Sequence, residues 1–272
     1  MLRVAFAAGL AAAALGVTVS AQTRGRGAGR SPASCSDFGN SDRGSYCEVR
    51  EETIPGAGVN PLDVDAGRNG GIRVRGWDRP DVLVRSRVSA SADTDAEARQ
   101  IVSAVRIIAG GGTIRTEGPD ANGPSGNWSV SFELQVPRTA MVTLNARNGG
   151  ISIEDFQGAA TFHAVNGGVT LINVSGDIHG ETVNGGVTVD LSGDHWNGAG
   201  LDVETQNGGI RLTLPEQYSA SLETATTNGR INIDFPVAAE GPVTRNLTTT
   251  LGAGGARLRA VTTNGGVTIR KR

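Results

Sequence analysis

The sequence predicts an all-β fold, a β-solenoid of β-helix-like type. Its coils are Asn-Gly-Gly repeats of about 18–23 residues, and one short helix lies near residues 93–104. Three observations carry this reading. Asn-Gly recurs with the same flanks at Asn69, Asn148, Asn166, Asn184, Asn207, Asn228 and Asn264, the last six spaced 18, 18, 23, 21 and 36 residues apart. Fixed apolar columns flank every such pair, as repeat architectures require. The 272 residues include 40 Gly and only 4% aromatics, so a narrow core of Ile, Val, Leu and Ala is implied.

Taken in chain order, residues 1–21 read as a signal peptide. Arg3 supplies the positive start, Val4 to Val19 is apolar, and Val19-Ser20-Ala21 places small residues before a cleavage point. The apolar run is shorter than the ~20 residues of a membrane span. The expectation is therefore an exported protein, periplasmic, envelope-associated or secreted, with no transmembrane span after cleavage. Residues 22–60 form a leader that carries Arg24, Arg26 and Arg30 and then the only two cysteines. In an oxidising compartment Cys35 and Cys47 are expected to form a disulfide. The competing metal-pair reading supplies too few ligands for zinc, because no His lies near them.

The β-repeat domain is assigned to residues 61–272, interrupted by the helix. Thr94 and Glu97 form a capping box, and Ala98, Ile101, Val102 and Val105 fall on one helical face. The helix is placed across one end of the β structure. After it, Ile107 to Ala109, Thr113 to Thr116 and Trp128 to Val136 read as strands. In the last of them Trp128, Val130, Phe132, Leu134 and Val136 share a face. Gly118 to Asn127 reads as a surface loop.

In the repeats proper, the third residue after each Asn is Ile72, Ile151, Val169, Val187, Ile210, Ile231 or Val267. The fifth is Val74, Ile153, Leu171, Val189, Leu212, Ile233 or Ile269. Polar residues stand between, so each unit holds a strand with alternate residues inward. An apolar residue six positions before each of the last six Asn marks a second strand. The glycine after Asn (Gly70, Gly149, Gly167, Gly185, Gly208, Gly229 and Gly265) occurs in all seven units, whereas the next position becomes Arg230 in one. The first glycine is thus assigned a positive φ and the pair a structural turn. An antiparallel meander of type I′ hairpins fits the same flanks. Equal spacing and small inward residues favour the solenoid.

The succession Cys47-Glu48-Val49-Arg50-Glu51, Asn69-Gly70-Gly71-Ile72 with Gly76-Trp77-Asp78, and Leu134-Gln135-Val136-Pro137 leads into the Asn-Gly-Gly run. With the strand ends Leu214-Pro215 and Phe235-Pro236, it resembles the bacterial putative-adhesin domain of unknown function. That family is related to the head GIN domain of putative autotransporter adhesins. The resemblance runs from about Cys47 to Arg272. It implies an envelope or secreted β-solenoid with an adhesive role and no established catalytic residues.

The search for chemistry returns no catalytic residue, metal site or cofactor. The near-neutral balance, formal net charge −2, offers no polybasic surface for nucleic acid. The acids Asp155, Asp177, Asp190 and Asp194 fall near the second corner of each coil, but at unequal positions, against the facing pair that glycoside hydrolysis needs. Asn145, His163, Glu181 and Glu204 form an outward column, where a His beside a carboxylate could hold a proton or a metal weakly and where a polar ladder fits equally well. His179 and His195 gain no partner from the repeat. No calcium nonapeptide, phosphate loop or nucleophile elbow occurs. The functional expectation is an exported non-enzymatic scaffold whose outer strands bind cell-envelope glycans or surface proteins. The alternative is a carbohydrate-active enzyme, a lyase or hydrolase, on the same solenoid.

Overall fold

A computed structural model describes residues 18–20, 35, 43–56, 61–120, 127–236 and 245–272. Most of the expected signal segment, and Arg24, Arg26 and Arg30, lie outside them. The first half runs β1 (Thr18–Ser20), β2 (Gly44–Ile54), β3 (Leu62–Asp65), β4 (Ile72–Trp77), β5 (Val82–Ala92), α1 (Asp95–Ala104), β6 (Arg106–Gly110), β7 (Thr113–Glu117) and β8 (Asn127–Pro137). The repeats follow as β9 (Met141–Asn148), β10 (Ile151–Glu154), β11 (Ala159–Asn166), β12 (Val169–Ile172), β13 (Asp177–Asn184) and β14 (Val187–Asp190). The chain closes with β15 (Gly200–Asn207), β16 (Ile210–Leu214), β17 (Ala220–Asn228), β18 (Ile231–Ile233), β19 (Asn246–Leu251), β20 (Arg257–Asn264) and β21 (Val267–Lys271).

These strands form two sheets, one of eleven strands and one of ten, around a single hydrophobic core. Each Asn-Gly-Gly carries the chain from the ten-stranded sheet to the eleven-stranded one. Consecutive coils pair in parallel with matching register: Ile151 lies beside Ile72 and Val169, and Val187 beside Val169 and Ile210. Parallel pairing excludes the hairpin meander and establishes the solenoid, because a hairpin joins its two strands antiparallel in one sheet.

Volume within the inward columns is matched locally. Gly180 lies under Phe162, whose ring would meet any Cβ at that position. Truncating fully buried Val187 to Ala is expected to lower stability by about 1–3 kcal/mol, seen as a lower denaturant midpoint. A loss below about 0.5 kcal/mol would remove this column from the core.

The N-terminal end is closed by antiparallel pairing of β5 between β2 and β8. β1, which falls inside the expected signal segment, pairs with Val49–Glu51 of β2 and would leave with that segment on cleavage. Helix α1 packs on β2 and β5, burying Ala98, Ile101 and Val102, and its capping box is complete: Glu97 N donates to Thr94 Oγ1 and Thr94 N to Glu97 Oε2. Cys35 and Cys47 are disulfide-bonded with Cα atoms 5.8 Å apart. The bond ties residue 35 to the middle of β2.

At the other end the stacking departs from chain order. The Asn264 coil (β20, β21) lies between the Asn207 coil (β15, β16) and the Asn228 coil (β17, β18), so the last coil in sequence is the penultimate one in space. The 36-residue spacing accommodates this: β19 pairs antiparallel on the free edge of β17, and the chain then returns to fill the gap.

The positive φ assigned to the first glycine of each turn needs correction. Among the described residues only Asp155 and Asn173 are non-glycines with positive φ, so none of the seven repeat asparagines is left-handed. Of the seven glycines that follow them, only Gly70 has positive φ. Close stacking explains these glycines instead. A Cβ at Gly149, Gly167, Gly185, Gly208, Gly265 or Gly229 would stand under 3.0 Å from the carbonyl oxygen of the equivalent glycine in the adjacent coil. Glycine is needed because backbone meets backbone there.

Candidate functional site

The turns build a polar spine along one edge of the solenoid. Each asparagine side chain donates from Nδ2 to the Oδ1 of its neighbour: Asn148 to Asn69 at 3.1 Å, Asn166 to Asn148 at 2.9 Å and Asn184 to Asn166 at 2.9 Å. It continues from Asn207 to Asn184 at 3.0 Å, Asn264 to Asn207 at 2.8 Å and Asn228 to Asn264 at 2.8 Å, while Asn69 donates onward to Asn127 at 3.0 Å. An amide has a donor and an acceptor at the same reach, so identical asparagines can bond head to tail without end.

Beneath the spine, buried Thr182, Thr205, Thr262 and Thr226 donate at 2.7–2.8 Å to the carbonyl oxygens of Gly167, Gly185, Gly208 and Gly265. Sequence reasoning missed these bonds. Their signal was a threonine two positions before Asn in four units, a polar type at an inward position.

The outer face of the ten-stranded sheet carries the column expected from the repeat. Asn145, His163, Glu181 and Glu204 stand in register on β9, β11, β13 and β15. His163 Nδ1 lies 3.0 Å from Glu181 Oε1, with both side chains about half exposed. His179 pairs within its own strand with Asp177, Nε2 to Oδ1 at 2.5 Å. Beside His163 an open groove of about 520 Å³ is lined by Asp65, Arg68, Asn145, Arg147, His163 and Val165 among others. Arg147 is exposed and has no ion-pair partner among the described residues.

Further along, Arg259 of β20 reaches across the stack. It bonds Asp202 at 2.6 Å and Glu204 on β15, while Glu223 on β17 lies 3.8 Å away on its other side. Arg257 pairs with Glu223 at 2.7 Å.

The corner acids are not brought into a facing pair. Asp155 is held by Asn173 at 2.8 Å and Arg75 at 3.2 Å; Asp190 pairs with Arg272; Asp194 pairs with His195 at 2.6 Å. Each has its own partner. The Asn173 amide, then Arg75 and Arg138, hold the Asp155 carboxyl below its ordinary range. The hydrogen bond between Asp194 and His195 lowers the acid and raises the base, both at an exposed position. Burial, with Asp194 nearby, pushes the Tyr218 hydroxyl up to about 12. Among the described residues no three His, Cys, Asp or Glu side chains gather closely enough to hold a metal ion. No helix among them is long and apolar enough to cross a membrane.

A depressed carboxyl stabilises the fold above its unfolded pKa, and that contribution is lost as pH falls through the folded value. Asp155 should therefore contribute up to ~1 kcal/mol at neutral pH, disappearing below about pH 4. Asp155→Asn keeps a residue that tolerates the observed φ of 53°. Its denaturant midpoint should fall less than that of the parent between pH 6 and pH 2. Identical acid profiles would show that the Asp155 contacts add nothing.

The repeated coils fall within a match to a known family. The family model described as Toastrack DUF4097 matches residues 69–270. The chain belongs to the Toastrack DUF4097 family. Among solved structures, this Toastrack chain is similar to a putative cell adhesion protein from Clostridium sporogenes, at 12% identity over 84% of this chain and 100% of that one, TM-score 0.47. A putative adhesin from Bacteroides fragilis matches at 12% identity over 84% and 97%, TM-score 0.36. A putative lipid binding protein from Parabacteroides distasonis matches at 10% over 82% and 96%, TM-score 0.30. No curated protein matches the Toastrack chain.

Proposed function

We propose that this chain is an exported, non-enzymatic scaffold that binds cell-envelope glycans or surface proteins through the outer face of its ten-stranded sheet. One observation carries the reading: parallel coils in register turn that face into fixed rows of hydrogen-bonding side chains, bordered by the groove with unpaired Arg147. Rows repeating at about 4.8 Å on a rigid sheet suit an extended polymer, which meets the same groups again on each coil. Export is supported by the disulfide between Cys35 and Cys47, a bond that persists in oxidising compartments.

The test is binding of the purified chain to panels of envelope glycans and surface proteins, with release of reducing ends measured in parallel. Binding without release, weakened by Arg147→Ala, is the expected result. Turnover that His163→Ala or Glu181→Ala abolishes in a still-folded protein would overturn the scaffold reading in favour of an enzyme.

A further inference from the structure

Asn-Gly is the dipeptide most prone to deamidation, since a glycine offers no side chain to hinder attack by its own amide nitrogen on the preceding side chain. Seven such pairs line the spine, and the backbone treats six of them alike. The N–H of Gly70 donates to the Asn148 carbonyl at 3.1 Å, that of Gly149 to Asn166 at 3.1 Å and that of Gly167 to Asn184 at 3.1 Å. Gly185 donates to Asn207 at 3.1 Å, Gly208 to Asn264 at 3.0 Å and Gly265 to Asn228 at 3.2 Å. Every bond points toward the next coil in the stack.

The Asn228 coil is the outermost, so Gly229 has no further coil to donate to and its N–H lacks an acceptor among the described residues. The Asn228 Oδ1 likewise receives no amide, although its Nδ2 still donates to Asn264 at 2.8 Å. Exposure does not single this residue out, because Asn148, Asn166, Asn184, Asn207 and Asn264 are exposed too. The difference is the state of the nucleophile.

We propose that Asn228 is the modification site of the spine, converted without an enzyme to aspartate and isoaspartate while the other six spine asparagines stay intact. The Gly229 nitrogen loses its proton to solvent base and forms a bond to Asn228 Cγ. The Cγ–Nδ2 bond breaks and ammonia leaves, giving a cyclic imide. Water then opens the ring at either carbonyl, so the net change is water consumed and ammonia released. In the six bonded pairs the attacking nitrogen must first give up an inter-coil hydrogen bond. Opening the isoaspartyl way inserts a methylene into the backbone between β17 and β18, the coil that encloses the inserted β20 and β21.

The experiment incubates the full exported protein at mildly alkaline pH, folded in one arm and unfolded in guanidinium in the other, and maps each asparagine by mass spectrometry of peptides prepared at low pH. In the folded arm Asn228 should convert at least about tenfold faster than any of the other six, given the cost of breaking one backbone bond. In the unfolded arm all seven should convert at similar rates. The proposal is overturned if another spine asparagine keeps pace with Asn228 in the folded arm. It is equally overturned if Asn228 survives there as long as the rest while the unfolded arm deamidates.

Discussion

Gly185→Val is expected to destabilise the protein by about 3 kcal/mol or more, the upper range for overpacking a filled interior. The Cβ would lie under 3.0 Å from the Gly167 carbonyl oxygen, and the obstacle is backbone held in a parallel ladder, which cannot rotate aside. Matched alanine substitutions isolate the cause. Gly185→Ala should still cost about 2 kcal/mol, whereas Gly186→Ala, whose Cβ would meet the Gly209 oxygen at 3.1 Å, should cost about 1 kcal/mol or less. Arg230 holds the position equivalent to Gly186 in the outermost coil, where no further coil opposes it. Urea midpoints of the three variants provide the comparison. Equal losses at positions 185 and 186 would refute close stacking as the reason for the invariant glycine of the repeat.

Arg259→Glu should be the most damaging charge reversal, at about 3 kcal/mol. The partly buried guanidinium is bonded to Asp202 and Glu204 on one side and faces Glu223 on the other, so a carboxylate there would join three others. Arg259→Gln should lose about half as much, because it removes the attraction without adding repulsion. The effect should shrink in high salt, which screens like charges. A reversal costing under 1 kcal/mol at low salt would show that these contacts do not hold β20 in place.

Those same charges favour the observed order of the last coils. If β17 followed β15 directly, Glu223 would stand beside Asp202 in the same outward column. With β20 between them, Arg259 faces acids on both sides. Like charges directly opposite on neighbouring strands are destabilising and unlike ones stabilising. The inserted order satisfies both.

The sequence by itself determined the coil and its two faces. Alternation between Ile151 and Ile153, or Val187 and Val189, states which side chains turn inward, and Asn-Gly-Gly states where a coil changes sheet. These are local properties, readable because strand periodicity is two residues and the repeat presents it seven times. The Thr94–Glu97 capping box and the helix it starts are local in the same way. The family resemblance was legible for the same reason, since the Asn-Gly-Gly run that carries much of it lies within the matched residues 69–270.

Only the tertiary structure decided which coil lies against which. Inward residues at Ile210, Ile231 and Val267 are interchangeable in size and polarity, so no hydrophobic pattern ranks their neighbours. The observed order brings together residues 34 to 57 positions apart, such as Arg257 with Glu223 and Arg259 with Asp202. The reason for the repeat glycine was hidden likewise. A positive φ and a backbone pressed against backbone both demand the residue without a Cβ, and the two separate only when the adjacent coil is in place. The spine is decided there too: an asparagine at a turn is a local preference, but a row of amides bonded head to tail exists only once the coils are stacked at hydrogen-bonding distance.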